Sequence, residues 1–132
     1  MDHPLTTVWK RKLKKLFDEV DDFLEEKYGH LYPLHPSRPK RGNTANKEHD
    51  GLFNVGARFT PGYGSTKGRG YVIDVDMVTL ERVPEHVQAE IEHDVVEYVS
   101  KKLPEVFPER NLEVTKDGRV FKIHGDLSLG EI

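Results

Sequence analysis

Cysteine is absent from this 132-residue chain, which excludes disulfides, thiolate nucleophiles and cysteine-ligated zinc or iron–sulfur centres. No apolar run approaches the roughly 18 residues that a membrane-spanning helix requires. Met1-Asp2-His3 leads directly into a charged helical pattern, with no apolar stretch of the secretory-signal kind, so the expected location is cytoplasmic. Strong net charge is also missing. The formal charge of −3 by itself points neither to nucleic acid nor to acidic substrates.

What is present is a dense mixture: 36% apolar and 33% charged residues, with the apolar ones spaced periodically. That composition builds one core, and the length fits a single domain over 1–132. Charge is sorted along the chain. Arg38, Lys40, Arg41, Lys47, Arg58, Lys67 and Arg69 face only Glu48 and Asp50 between Leu31 and Gly70, and acids dominate from Tyr71 to Glu109.

Trp9, Leu13, Leu16, Phe17, Val20, Phe23, Leu24 and Tyr28 recur at helical spacing and predict a first helix over Thr7–Tyr28. Thr6 or Thr7 is placed to cap it and Gly29 to end it. Its charges oppose the helix dipole. Lys10, Arg11, Lys12, Lys14 and Lys15 come first, and Asp18, Glu19, Asp21, Asp22, Glu25 and Glu26 follow. A solvated face explains this pattern. So does a two-fold homodimer, in which the basic half of one first helix lies against the acidic half of its mate.

His30–Gly51 reads as a long basic loop, with Pro33, Pro36 and Pro39 excluding helix and Gly42, Asn43, Asn46 and Asp50-Gly51 favouring turns. Pro36-Ser37-Arg38-Pro39-Lys40-Arg41 matches a short polyproline ligand pattern, common by chance and read here as a linker feature. Period-two alternation then predicts strands at Phe53–Phe59 and Tyr71–Val78, joined by a glycine-rich hairpin. Pro84 sits at the first position of a second helix. Val87, Ile91, Val95, Tyr98, Val99 and Leu103 supply its apolar stripe, and Pro104 is expected to stop it. A last hairpin turns at Asp117-Gly118, pairing Val114 with Phe121, Leu112 with Ile123 and Glu113 with Lys122.

The order α-β-β-α-β-β predicts an α+β fold, a two-layer α/β sandwich. Its sheet has four mainly antiparallel strands, with both helices on one face. Secretion-chaperone-like and roadblock-like domains share similar element orders, a likeness of order alone that fixes no function.

Three places carry candidate chemistry. The hairpin at 62–70 is the leading one, because glycines let backbone N–H groups approach an anion. Gly64, Lys67, Gly68 and Arg69 are its expected binding residues, with Arg58 on the preceding strand and Arg38, Lys40 and Arg41 from the long loop. The expected ligand bears phosphate, as a nucleotide or a nucleic-acid backbone does. It is not a nucleoside-triphosphate P-loop, since a strand follows where a helix should begin. Asp74 and Asp76 project from one strand face ~7 Å apart, a spacing at which a divalent metal could support phosphoryl transfer. Arg58 and Lys122 neutralising them on a solvated face is the simpler account. Finally, His86, Glu90, His93 and Glu97 form a helical stripe beside the buried one, with metal-ligand spacing but no histidine on the first helix to complete a site. No serine or acid is spaced with His30, His35 or His49 to form a nucleophilic triad, so a binding domain is expected in preference to an enzyme, with no cofactor.

Overall fold

The computed structural model describes residues 4–46, 50–61, 69–117 and 120–125. Two helices and four strands follow the expected order: α1 (Pro4–Tyr28), β1 (Phe53–Thr60), β2 (Gly70–Met77), α2 (Glu85–Val106), β3 (Leu112–Asp117) and β4 (Val120–Gly125). The strands pair antiparallel throughout in the order β1-β2-β4-β3, which leaves β1 and β3 as edges.

One set of alternating strand positions makes the core. Phe53, Val55, Ile73 and Ile123 pack with Trp9, Leu13, Leu16, Phe17, Val20, Leu24 and Tyr28 of α1, and with Ile91, Val95, Val99 and Leu103 of α2. Both helices therefore cover the same face. Trp9 anchors one end of this layer, its ring centroid 4.3 Å from Phe107 and 5.6 Å from Tyr71. The helices are pinned together at Asp94, which accepts hydrogen bonds from Lys27 Nζ (2.7 Å) and the Tyr28 hydroxyl.

Several boundaries depart from the sequence reading. Helix α1 begins a turn earlier, at Pro4, a residue that suits a first helical turn because its missing N–H would have no partner there. Pro84 precedes α2 as its cap residue, and Pro104 lies inside the helix. A proline so near the C-terminal end interrupts one bond only, to the carbonyl of exposed Ser100. The chain turns on for Val106 to reach the core, and the Phe107 N–H still bonds the Leu103 carbonyl at 2.8 Å.

The last hairpin is shifted by two residues. Val114 faces Ile123, Leu112 faces Gly125, Glu113 faces His124 and Thr115 faces Lys122, and Asp117 pairs with Val120 as the last strand residues. The expected Asp117-Gly118 turn thus falls partly outside the described residues. Sliding by two preserves every side chain's face. Alternation alone could not separate the two registers.

Candidate functional site

Two ends of the molecule differ in charge, and helix α1 connects them. At its C-terminal end, the long loop folds back on the acidic half of the helix. Arg38 donates from Nε to the Gly51 carbonyl (3.1 Å) and from Nη2 to the carbonyls of Asp50 (3.1 Å) and Phe53 (3.2 Å). It thereby satisfies backbone groups that no ladder reaches. Arg41 lies among three carboxylates: Asp22 at 2.6 Å, Asp21 at 2.9 Å and Asp50 at 3.1 Å.

Asp50 is a buried hub. It accepts from the backbone N–H of Gly42 (3.0 Å) and Thr44 (3.2 Å), from the Thr44 hydroxyl (3.1 Å) and from Arg41. Burial pushes its carboxyl up, but the bonds from Thr44, Gly42 and Arg41 outweigh that and hold it below the ordinary carboxylate range. Asp21 is its opposite. Its side chain is 1% exposed, and neither oxygen accepts a hydrogen bond from the described residues, although Arg41 Nη1 stands 2.9 Å from Oδ1. Burial pushes its carboxyl up to about 7, Arg41 pulls the other way, and Glu25, Asp22 and Asp18 add to the rise. The acidic half of α1 is therefore only in part the solvated face its composition implied, with Asp22 and Glu26 exposed. Asp21 is buried, and Glu25 Oε1 accepts the Phe53 N–H at 2.8 Å. A cleft of about 540 Å³ beside this network is lined by Asp22, Glu25, Glu26, His30, Lys40 and Arg41 among others.

The other end is basic. Helix α1 runs against β1 so that Glu25 meets Phe53, while Lys10 and Lys14 meet the far half of the strand. Lys10, Leu13, Lys14, Phe17, Gly56, Ala57, Phe59 and Tyr71 line a groove of about 300 Å³. Phe59 is 54% exposed and sits edge-on to Tyr71, with centroids 5.5 Å apart. Lys14 also bonds Asp18 (2.7 Å) and Asn46 (3.2 Å). Arg58 and Arg69 are exposed at the same end, Arg58 bonded to Asp74 at 2.9 Å.

The anticipated binding residues are thus divided. Arg38, Lys40 and Arg41 lie by Phe53, and Arg58 and Arg69 lie towards Thr60 and Gly70, which face one another at the far end of β1. Strand rise makes the separation of the two ends of β1 about 23 Å. Gly64, Lys67 and Gly68 lie outside the described residues. Sequence reading missed Lys10, Lys14 and the Phe59–Tyr71 pair as partners of the hairpin end, since only the antiparallel run of α1 against β1 joins them. Asp21 was findable. It stands four residues after Phe17 and three before Leu24, on the apolar stripe itself.

The remaining candidates stay apart from these two ends. On the outer sheet face Asp74 is tied to Arg58 and Asp76 is exposed, but Lys122, expected on solvated ground, is buried beside its cross-strand neighbour Val72. His124 Nε2 lies 2.7 Å from the Thr115 hydroxyl. On α2 the stripe is exposed, with His93 Nε2 3.3 Å from Glu97 and Lys101 3.9 Å from the same carboxylate. Among the described residues no group of three or more histidines or carboxylates is gathered as metal ligands, and no helix is long and apolar enough to cross a membrane.

Fold and site together define a small two-layer α+β domain with a latched loop at one end and a basic groove at the other. Residues 4–125 match a protein family described as "Uncharacterised protein", and the chain belongs to that family. It is similar to an uncharacterized protein of Borreliella burgdorferi, with 43% identity over 107 residues, covering 81% of this chain and 84% of the relative. No solved structure matches the chain.

Proposed function

We propose that this is a non-catalytic binding domain that takes an anionic ligand at its basic end, in the groove between the N-terminal half of α1 and β1. One observation carries the reading: Lys10 and Lys14 flank an aromatic pair, Phe59 and Tyr71, at the same end as Arg58 and Arg69. Cations beside an apolar floor raise the local concentration of an anion and give its less polar portion a surface to cover. A phosphate-bearing ligand, a nucleotide or a nucleic-acid backbone, is one class that such a site would take. Arg38 and Arg41 hold the loop, so the reading does not depend on them.

The test is direct binding of labelled nucleotides, single-stranded oligonucleotides and acidic peptides at low salt. Wild type should bind at least one of these polyanions with affinity that falls as salt rises. The Lys10→Ala/Lys14→Ala double variant should bind at least ten-fold more weakly with a flatter salt dependence, and Lys40→Ala at the opposite end should change nothing. Absence of binding across the panel ends the proposal. Equal binding by the double variant places the site elsewhere.

A further inference from the structure

The start of β1 reveals which way its backbone faces. The Phe53 N–H donates to Glu25 and the Phe53 carbonyl accepts from Arg38, while the Leu52 carbonyl accepts from Val78 on the β2 side. In an antiparallel ladder, residues alternate between exchanging hydrogen bonds with the partner strand and turning those groups away from it. Phe53, Val55, Ala57 and Phe59 are therefore the outward set. Glu25 and Arg38 cap this edge at Phe53. Further along, Ala57 and Phe59 line the α1 groove, and among the described residues no strand pairs on that side of β1.

From this geometry we infer that β1 receives an extended, acidic polypeptide segment as an added strand, laid in the groove beneath α1. The inference rests on the anion-binding reading and names its ligand class. A strand edge beside a helix offers two kinds of contact at once: main-chain hydrogen bonds from the edge, and side-chain contacts from the groove. Alternate side chains of the added strand would project onto Leu13, Phe59 and Tyr71 beneath Lys10 and Lys14, and the others towards Arg58 on the opposite face. Cations flank both faces of the incoming strand. That selects acidic residues along it and small aliphatic ones over the floor. Arg58 interrupts the edge with one charge, yet it also pairs with Asp74, which directs its guanidinium over the outer face.

The probe is a fluorescein-labelled peptide of alternating glutamate and valine, measured by anisotropy against the full chain. Two backbone N-methylated versions carry methyl groups at odd or at even positions. Only one set of peptide N–H groups can point at β1, so one methylated peptide should lose binding at least ten-fold and the other should keep it. Ala57→Pro removes an outward N–H, a substitution that edge strands tolerate, and should weaken the unmethylated peptide at least ten-fold with circular dichroism unchanged. If both methylated peptides bind like the parent, strand addition is overturned, and that result needs no variant to fold. If an oligonucleotide binds in a Lys10/Lys14-dependent way and the peptide does not, the anion site stands and this inference falls. Sedimentation of the protein alone supplies a further outcome: a dimer that Ala57→Pro converts to monomer would mean that the edge is filled by a second copy, which also overturns it.

Discussion

Arg41 of the long loop stands 2.9 Å from Asp21 of α1, a carboxylate that accepts no hydrogen bond from the described residues. The same guanidinium spans Asp22 and Asp50, so one side chain fastens the loop to the helix while facing three acids. An ionised Asp21 pays little into that arrangement. Its charge is desolvated, its helix neighbours Asp18, Asp22 and Glu25 repel it, and Arg41 is shared with Asp22 and Asp50.

The first prediction concerns pH. Asp21 is raised to about 7 in the folded chain, above its unfolded value near 4, so the folded state holds its proton more tightly. Stability from this group is full below the unfolded value and declines as pH rises towards 7, where the folded carboxyl also ionises. Asp50 and Asp94 run the other way: their lowered values give stability that is lost only as pH falls below about 4. Urea denaturation of Asp21→Asn should therefore show a gain over wild type that grows between pH 4 and pH 8, by roughly 1–3 kcal/mol. A constant difference across that range would show that Asp21 does not titrate as described.

Removing the cation should do more harm. Arg41→Ala leaves buried Asp50, and Asp21 above the pH at which it ionises, without their counter-charge, a change that costs about 3–5 kcal/mol when buried pairs are broken. Arg41→Lys should recover only part of it, because a single ammonium cannot span three carboxylates as a planar fork does. Adding Asp21→Asn to Arg41→Ala should relieve a portion of the loss. Thermal denaturation of the three variants checks the order. An Arg41→Ala chain as stable as wild type would contradict the latch.

The fold was legible because its elements follow periodicity: α1 from its stripe and Gly29, β1 and β2 from alternation, α2 from Val87 to Leu103. The site was less so. Arg38 bonds backbone carbonyls, and a carbonyl leaves no mark in a sequence, so this arginine reads as surface charge. Asp21 was marked by its place on the stripe, but in a run of six acids its composition concealed its position. Joining Lys10 and Lys14 to Phe59 needs the direction of α1 over the sheet, which no local pattern carries. Register at Asp117-Gly118 was undecidable for a different reason: a glycine suits either central position of a two-residue hairpin turn.

The helix–helix pin gives a third prediction. Tyr28 and Lys27 both donate to Asp94, whose carboxyl is pushed up by burial but pulled below the ordinary range by these two donors. Tyr28→Phe removes the buried hydroxyl and should cost about 1–2 kcal/mol. Lys27→Met, at an exposed pair, should cost less than about 1 kcal/mol. Because both donors share one oxygen, the double variant should lose more than the two single losses added together, since it leaves Asp94 with neither. Strict additivity in the four-way comparison would mean that the two bonds are independent.

The fourth prediction compares two glycines that share a positive φ but not a neighbourhood. Gly42 and Gly51 have φ of +91° and +73°, where any Cβ is strained. A Cβ on Gly42 would meet no atom of the described residues within 4 Å, whereas one on Gly51 would lie 2.3 Å from Glu25 Oε1 and 2.7 Å from its Cδ. That carboxylate oxygen is the acceptor for the Phe53 N–H. Gly42→Ala should thus cost only the backbone strain, about 1–2 kcal/mol. Gly51→Ala should cost that strain and also displace Glu25 from the edge of β1, adding about 1–3 kcal/mol for an N–H left unsatisfied. Glu25→Ala provides the internal control. In wild type it should be destabilising, because it removes the acceptor; in the Gly51→Ala background it should cost much less, since the bond is already gone. Urea denaturation of the four chains measures this coupling. Equal losses for the two glycine variants, or an unchanged effect of Glu25→Ala in both backgrounds, would show that Gly51 and Glu25 are not packed together at the entrance to β1.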